Sequence, residues 1–457
     1  MFEPVLRLGV TGLSGAGKTV FITALVSSLM SRGRMRLLKA EAEHRILAAM
    51  LRPQPDPELP RFAFEEHVSA LTGANPKWPV STRQISQLRL SMKVRPAGLF
   101  SVVSGTRTVH LDIVDYPGEW LLDLPLLETS FSDWSISALS AAGSQARRIH
   151  GERYLSSLSE VETTTRHDES KADRLASTYR AYLQACRKAG LSALAPGRFL
   201  MPGDLEGSPA LTVAPLPPQD RASRGSMYHE MERRFEAYKR VVVKPFFRNH
   251  FARLDRQVVL VDALGALAGG PRALGDLTSA MTETLKIFRH GQSSWLDRIL
   301  GGRSIDRILF AASKADHLHH EQHAKLTQLV EAMLATASRQ ASFGGAETSA
   351  MAIASIRASA EQTISRDGAE IGLVRGIRQS DGKEVALYPG ELPSDMPALL
   401  SDASATSPGE ADETWSGGAD FARPIFAPPR WEAGATDGPP HIRLDRAIEF
   451  LIGDKLG

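Results

Sequence analysis

The stretch Gly12-Leu13-Ser14-Gly15-Ala16-Gly17-Lys18-Thr19 matches the pattern G-x-x-x-x-G-K-[ST]. The apolar residues 4–11 before it predict a β-strand, and the apolar residues 20–29 after it predict an α-helix. A glycine-rich turn at this junction brings several backbone N–H groups to the positive end of the helix, where they can bind phosphate oxygens. The sequence therefore predicts a phosphate-binding loop that wraps a polyphosphate.

The positions of this loop have different expected roles. The Lys18 ammonium would bridge the outer phosphates, and the Thr19 hydroxyl would bind Mg²⁺. The other nucleotide contacts are expected from loop residues Ser14, Gly15, Ala16, Gly17 and Val20. The loop thus implies a nucleotide and Mg²⁺ as ligands.

The composition is that of a globular protein with balanced charge. The chain has 457 residues, 42% of them hydrophobic, and 54 basic against 52 acidic side chains give a net charge of +2. This balance does not indicate nucleic acid as a partner. The single Cys186 excludes an internal disulfide, and no apolar run is long enough for a membrane span or a secretory signal. We therefore expect a cytoplasmic protein.

Four further apolar segments end in polar residues and predict buried strands. With the first strand they would form a parallel sheet whose polar residues cluster at the carboxyl ends, as in open α/β sheets. We predict an α/β fold with a P-loop NTPase, G-domain-like parallel sheet flanked by helices, a helical insertion and a small β appendage. The four segments are 109–115, 257–262, 307–313 and 350–355.

The order of these patterns predicts how the chain is divided. Residues 1–119 and 257–360 would form the nucleotide-binding core. Residues 120–256 contain two long helical patterns, at 170–189 and 227–249, and would form the helical insertion.

Smaller units are predicted after and within this core. A β appendage at 361–400 has its hairpin turn at 380–383, and a flexible polar loop would follow at 401–420. An amphipathic helix at 441–457 is expected to pack on the core. Residues 40–51 are predicted to be helical.

The segment Asp115-Tyr116-Pro117-Gly118 follows the second predicted strand and matches D-x-x-G. Asp115 would hold Mg²⁺ through water, and the Gly118 N–H would contact a γ-phosphate. The alternative is an ordinary turn with a capping aspartate. Glu119 comes next, and its carboxylate either orients the attacking water, with slow hydrolysis because of like-charge repulsion, or is a solvated loop group.

The segment Ser313-Lys314-Ala315-Asp316 ends another predicted strand and is similar to the [NT]-K-x-D element that reads guanine. The Asp316 carboxylate can accept two hydrogen bonds from guanine N1–H and N2–H₂, a pattern that adenine lacks. The Lys314 stem can lie along the base. Ser355 and Ile356 would supply a backbone N–H opposite guanine O6. The alternative is a charged loop without a recognition role.

This ordered series of motifs resembles the TRAFAC-like GTPases and, more narrowly, the YcjX-like family of bacterial stress-associated P-loop proteins. The resemblance implies a cytosolic protein that binds GTP or GDP with Mg²⁺, and it implies a helical insertion. It also implies a link to envelope or heat stress and a protein partner at the insertion, for instance a membrane protein that would bring the chain to the inner membrane. The residues that carry the resemblance are 12–23, 78–83, 115–120, 312–317 and 441–446.

Within this resemblance, a first switch is expected at residues 81–83. The Thr82 hydroxyl would complete the Mg²⁺ coordination and take part in catalysis when a γ-phosphate is present. Ser81 and Arg83 would contact the nucleotide, and Trp78 would cover it. The alternative for Ser81 and Thr82 is an N-cap of a helix at 85–90.

Two further alternatives concern metal binding and function. His317, His319, His320 and His323 form a cluster. Because no Cys or paired carboxylate accompanies them, we interpret the cluster as a solvated helix start with His317 beside the base. The rival functions are an ATPase with the same core and a nucleotide-stabilised adaptor with little turnover.

Overall fold

The first strand and first helix lie where the glycine-rich motif predicts them. β1 (Val5–Thr11) is followed by the phosphate loop and by α1 (Lys18–Ser31), whose N-cap is Gly17. One apolar face of each element is buried in a common core that includes Leu8 and Phe21. The computed structural model describes residues 3–13, 15–80, 84–97, 105–219, 222–285, 305–343, 345–366, 368–405, 425–434 and 436–457.

In the described part of the chain, seven strands form one mixed sheet. After β1 they are β2 (Ile46–Arg52), β3 (Ser86–Val94), β4 (Arg107–Asp115), β5 (Arg256–Val261), β6 (Arg307–Ala312) and β7 (Glu347–Ala352). Their order is β2-β3-β4-β1-β5-β6-β7, and β3 is antiparallel to both of its neighbours. The remaining pairs, from β4 to β7, are parallel. The predicted α/β fold class is confirmed.

The helix predicted at 40–51 is wrong beyond its first turn, and the helix at 85–90, considered as the alternative for Ser81 and Thr82, is also wrong. A short helix, α2 (Lys39–Ala42), precedes β2, and residues 86–94 form β3. The β2 sequence is rich in Ala, Met and Leu, which favour helices in isolation. Its pairing with β3, which pairs in turn along its full length with β4, overrides that local preference.

The helices cover both faces of the sheet. Two helical patterns in the region of the predicted insertion are confirmed. The pattern at 170–189 corresponds to α6 (Glu169–Lys188), and the pattern at 227–249 corresponds to α8 (Met227–Tyr238) and α9 (Lys244–Asn249), which are joined by a π-helical turn (Lys239–Val243). Among the described residues between α2 and β6, the helices are α3 (Phe64–Thr72), α4 (Phe131–Gly143), α5 (Arg148–Ser159), α6 (Glu169–Lys188), α7 (Gly197–Leu200), α8 (Met227–Tyr238), α9 (Lys244–Asn249), α10 (Ala263–Ala268) and α11 (Gly270–Leu285).

Two apolar cores lie on opposite faces of the sheet. Along β5, Val258 and Leu260 belong to the core that contains α1, whereas Val259 and Val261 belong to the core that contains the helices of the insertion. This alternation is the two-residue period of a strand buried on both faces. The insertion therefore shares a continuous core with the sheet.

In the C-terminal part of the chain, the described residues form a second sheet and three helices. The second sheet is antiparallel and consists of β8 (Ser359–Arg366), β9 (Ala369–Ile377) and β10 (Glu384–Leu387). The helices are α12 (His323–Phe343), α13 (Met396–Ala405) and α14 (Leu444–Ile452).

The first five residues of the polar loop predicted at 401–420 are helical in the structure. Residues 401–405 are the last turn of α13, because the apolar pattern that begins at Met396 continues through this turn. Residues 406–420 lie outside the described residues. The terminal helix α14 contacts β6 and buries Leu444, Ile448 and Leu451.

Within the described ranges, none of the helices combines the length and the apolar character that a membrane span requires.

Candidate functional site

The phosphate loop has the backbone conformation that its glycines predict. Gly15 and Gly17 adopt positive φ angles of 83° and 87°, and the Ala16 N–H donates to the Leu13 carbonyl at 3.1 Å. Gly17 caps α1 without a side-chain hydrogen bond. The first N–H groups of α1 are therefore directed toward the loop with no capping side chain, which is the arrangement that binds anions.

Lys18 and Thr19 begin α1 at the base of this loop. The Lys18 Nζ donates to the Gly12 carbonyl at 2.5 Å, so the ammonium bridges the two ends of the loop. Both side chains are buried and line the same cavity. A cation and a hydroxyl thus flank the helix N-terminus, where phosphate and a hard metal ion would be stabilised.

A cavity of about 250 Å³ extends from the phosphate loop along the carboxyl ends of the strands. Loop residues from Gly15 to Val20 form one end, and residues that follow β6 and β7 form the other. Most of the predicted nucleotide contacts that the structure describes meet in this single space. The lining residues outside the loop are Trp78, Pro79, Ser313, Lys314, Asp316, His317, Ala354, Ser355, Ile356, Ile425 and Phe426.

Asp316 is held rigidly at the far end of the cavity. Its Oδ2 accepts a hydrogen bond from the Ala358 N–H at 2.8 Å, and its backbone carbonyl accepts one from the Ser359 hydroxyl. The residue is 4% exposed. An ionised carboxylate has about four acceptor sites, so both oxygens keep capacity for a ligand.

Lys314 connects this end of the cavity to β5. It adopts the left-handed conformation (φ 64°), and its Nζ lies 2.5 Å from Asp262 Oδ2. Asp262 follows β5 and also caps α10 by accepting from the Gly265 N–H at 3.0 Å. Asp262 is not among the site residues predicted from the sequence, although its place at the end of a predicted strand was a usable signal.

Two aromatic residues from distant parts of the chain close the side of the cavity. The Trp78 indole N–H donates to the Phe426 carbonyl at 2.7 Å, and the His317 ring meets the Phe426 ring edge-on, with centroids 5.6 Å apart. Sequence reasoning found Trp78 and His317 but missed Phe426. No motif surrounds Phe426, and only the fold brings it to the cavity.

A buried histidine supports the loop that carries Asp316. His323 donates from Nε2 to the Ala315 carbonyl at 2.9 Å, and its Nδ1 accepts from Arg443 at 3.0 Å. Burial lowers the pKa of His323, with the Arg443 charge acting in the same direction. The ring is consequently neutral with its proton on Nε2, and it links the Asp316 loop to the residue that precedes α14.

Ser355 and Ile356 follow β7 and line the cavity beside Asp316. The preceding Ala354 forms an isolated β-bridge with Ile442, which fixes the backbone of this turn. Four other predicted site residues, Ser14, Ser81, Thr82 and Arg83, lie outside the described residues.

The predicted Mg²⁺ side of the site is at the end of β4. Asp115 is 1% exposed and pairs in register with Val10 of β1, immediately before the phosphate loop. The Gly118 backbone lies directly against the loop, because a Cβ atom at Gly118 would collide with the Gly12 carbonyl. Neither residue lines the 250 Å³ cavity, and Gly118 contacts the phosphate loop at Gly12.

The surroundings of Glu119 exclude one of the two interpretations considered from the sequence. It is 4% exposed, so the interpretation as a solvated loop residue is wrong. Its Oε1 lies 3.4 Å from Nη2 of Arg187 in α6, and the residue does not line the cavity. In this conformation its carboxylate pairs with the insertion.

The rest of this segment, which from Trp120 onward lies within the predicted bounds of the insertion, is packed against the helices of the insertion. Residues Gly118–Glu128 form a 3₁₀ helix in which Trp120 donates from its indole N–H to the Met201 carbonyl at 2.8 Å. The Arg198 guanidinium lies over the Trp120 ring, 3.3 Å from its centroid. A Cβ atom at Gly197 would collide with the Glu119 carbonyl, so the two backbones are in direct contact.

Asp123 completes this contact between the 3₁₀ helix and the insertion. Its carboxylate accepts from the N–H groups of Gly197 at 2.6 Å and Arg198 at 3.1 Å, and from the Tyr238 hydroxyl at 2.8 Å. Burial raises the pKa of Asp123 from 3.8 to about 6, against the lowering effect of these hydrogen bonds. An aspartate that follows D-x-x-G by five residues thus joins three segments.

The mostly parallel sheet, with a phosphate loop between its first strand and first helix, defines a P-loop protein of the GTPase-like fold class. A family model described as "YcjX-like family, DUF463" matches residues 6–456. The chain is 38% identical to the "Ras-like GTPase YcjX" of Escherichia coli, over 99% of this chain and 96% of that protein. It is 37% identical to the "Ras-like GTPase YcjX" of Shewanella oneidensis, over 99% and 94%. The chain therefore belongs to the YcjX-like family, as the sequence motifs predict.

The raised pKa of Asp123 makes the stability of this region depend on pH. Because the folded pKa of about 6 exceeds the ordinary value of 3.8, the folded protein holds this proton more tightly than the unfolded chain. The contribution is fully present below about pH 4 and is lost as the pH rises through about 6. We predict that Asp123→Asn gains roughly 2–3 kcal/mol relative to the wild type between pH 4 and pH 7. Urea unfolding of both proteins at the two pH values measures this difference.

The matched control is Asp173→Asn, because Asp173 is an exposed aspartate on α6. Its difference from the wild type should be the same at both pH values. If the Asp123→Asn difference were equally constant, the assigned role of Asp123 in the pH dependence would be wrong.

Proposed function

We propose that this chain is a Mg²⁺-dependent GTP-binding protein that hydrolyses GTP slowly and acts as a nucleotide-dependent switch. The observation that carries the proposal is that the phosphate loop and Asp316 line one cavity. The relatives in Escherichia coli and Shewanella oneidensis, both called Ras-like GTPases, support a guanine nucleotide as the ligand.

Guanine would lie at the Asp316 end of the cavity. The carboxylate would accept from N1–H and N2–H₂, and the half-buried Lys314 stem would lie along the base. The backbone at Ser355 and Ile356 would face O6. Adenine presents an acceptor at N1 and has no amino group at C2, so it would offer the buried Asp316 carboxylate no donor, and such mismatches give strong discrimination.

The phosphates would lie against the loop and the N-terminus of α1. Lys18 would exchange its bond to the Gly12 carbonyl for contacts with the outer phosphates, and backbone N–H groups from Gly15 to Val20 would hold the rest. The loop suits a polyphosphate, because its N–H donors surround the N-terminus of α1 and a buried ammonium lies at its base.

Three oxygen-bearing residues suit Mg²⁺, which prefers hard oxygen ligands. The Thr19 hydroxyl begins α1, and the Asp115 carboxylate ends β4 beside β1. Thr82 remains a proposed ligand from the sequence, with Ser81 and Arg83 as proposed nucleotide contacts. Bound Mg²⁺ would neutralise phosphate charge.

The pairing of Glu119 with Arg187 supports slow hydrolysis. A water-positioning group must reach the attacking water, and in this structure the Glu119 carboxylate contacts the insertion instead. The same observation favours a second candidate, a nucleotide-stabilised adaptor with little turnover. The measured hydrolysis rate separates the two candidates.

The insertion is the proposed output of the switch. Gly118 contacts the phosphate loop on one side, and the residues after it contact the insertion on the other. We propose that a protein partner in the bacterial stress response, such as a membrane protein, binds the insertion. The chain would then be cytoplasmic and reach the inner membrane through that partner.

Guanine selection by Asp316 is tested by calorimetry with GDP, GTP and ATP in the presence of Mg²⁺. We predict that the wild type prefers guanine nucleotides. Asp316→Asn should weaken their binding on the order of a hundredfold and shift preference toward xanthine nucleotides, because the amide both loses an acceptor and places a donor against guanine.

Asp173→Asn again serves as the control and should bind as the wild type does. Equal binding of ATP and GTP that Asp316→Asn leaves unchanged would contradict guanine recognition and favour an ATPase.

The role of Glu119 is tested by single-turnover hydrolysis of GTP. We predict a wild-type rate on the order of 10⁻⁴ s⁻¹, as for unassisted small GTPases. Glu119→Gln should change the rate little, because the amide oxygen can keep the contact with Arg187. A tenfold loss in this variant would restore Glu119 as a catalytic residue, and a rate at background would favour the adaptor.

A further inference from the structure

Three side chains that follow the Asp316 loop bring metal-binding atoms together. A ring nitrogen of His319, a ring nitrogen of His320 and a carboxylate oxygen of Glu321 lie within 4.8 Å of one another. They stand at the start of a 3₁₀ turn (His320–Gln322). His317 and His323 have other contacts, with Phe426 and with Ala315 and Arg443.

The fold supplies a second carboxylate that the sequence pattern lacks. Glu361 of β8 lies next to this turn, and its Oε2 is 2.6 Å from His320 Nδ1. The other carboxylate oxygen, Oε1, is 3.4 Å from Arg357, so the arginine occupies the far side of the group. A carboxylate from β8 therefore contacts His320, next to the cluster of His319, His320 and Glu321.

His319 is not part of a solvated helix start, because it is 4% exposed. Its Nε2 lies 3.4 Å from the Thr363 hydroxyl of β8. Its Nδ1 is buried and makes no hydrogen bond within the described ranges, although it lies 3.2 Å from a Glu321 oxygen. In the tautomer that carries the ring proton on Nε2, Nδ1 and this carboxylate oxygen can both bind one cation.

We propose that His319, His320, Glu321 and Glu361 form a binding site for a transition-metal ion of the Zn²⁺ type. Nitrogen and oxygen donors in this number suit tetrahedral Zn²⁺, whereas Mg²⁺ prefers oxygen alone. The Thr363 hydroxyl, which lies against Nε2 of His319, would fix the orientation of this ring. His320 and Glu321 are exposed, so their side chains can close onto the ion at small cost.

This site would tie the base-recognition loop to the second sheet. Asp316 already bonds to Ala358 and Ser359, which lead into β8, and the metal would add a second cross-link between the same two segments. Metal binding would therefore stiffen the loop that carries Asp316.

The test is calorimetric titration of Zn²⁺ into the full chain in excess Mg²⁺, with Co²⁺ as an absorbing substitute. We expect one Zn²⁺ per chain and a tetrahedral Co²⁺ spectrum. His320→Ala and Glu361→Gln should each weaken binding about tenfold or more. The matched control is His229→Ala, which removes one imidazole from the exposed His229–Glu232 pair and should leave Zn²⁺ binding unchanged.

Hydrogen exchange gives a second, local measurement on the unmodified chain. Zn²⁺ should protect the amides of 315–322 and 358–363. The proposal is overturned if Zn²⁺ does not bind, if both variants bind it as the wild type does, or if protection appears elsewhere and not in these segments.

Discussion

Three backbone segments lie in direct contact at the centre of this protein, with no side chain between them. Gly118 lies against the Gly12 carbonyl of the phosphate loop, and Gly197 of the insertion lies against the Glu119 carbonyl. A Cβ atom at either glycine would collide with the opposite backbone. The segment after β4 is thus confined between the phosphate loop and the helical insertion, and the remaining contacts of the site are arranged around this confinement.

Buried polar contacts hold the segment to the insertion. Trp120, Glu119 and Asp123 each bond or pair with insertion residues, and Tyr238 donates to the Asp123 carboxylate. A buried hydrogen bond contributes about 1 kcal/mol net, but leaving its partners unsatisfied costs more. If Gly118 moves, either several of these bonds break or the insertion moves with it. Movement of the insertion keeps the bonds and so avoids leaving buried polar groups without partners. This asymmetry is the physical basis of the proposed switch.

The sequence predicts the elements whose function imposes a local pattern. The phosphate loop, the strands that end in polar residues and the long amphipathic helices were all recognisable, because each has its own spacing of small, polar or apolar residues. β2 was mistaken for a helix and a helix was the alternative considered for β3, since the stability of both strands comes from pairing with distant strands.

The missed parts of the site have the same origin. Phe426 reaches the cavity through a β-bridge to Arg378, and Glu361 reaches the histidines through β8. Each contact joins positions tens of residues apart, and no local pattern records it. For Glu119, a local pattern was present but did not predict the contact that the side chain makes. Its position after D-x-x-G suggested catalysis, whereas in the structure its carboxylate lies beside Arg187 of a distant helix.

The central claim is that nucleotide state reaches the insertion through the Gly118–Glu128 segment. Hydrogen exchange of the full chain with Mg²⁺, comparing GDP with a non-hydrolysable GTP analogue, tests it directly. We predict that amide hydrogen exchange differs between the two nucleotide states in 118–124. It should also differ in 196–202 and around Tyr238, because these residues contact that segment. Differences confined to the phosphate loop and the Asp316 loop, with 196–202 unchanged, would contradict it.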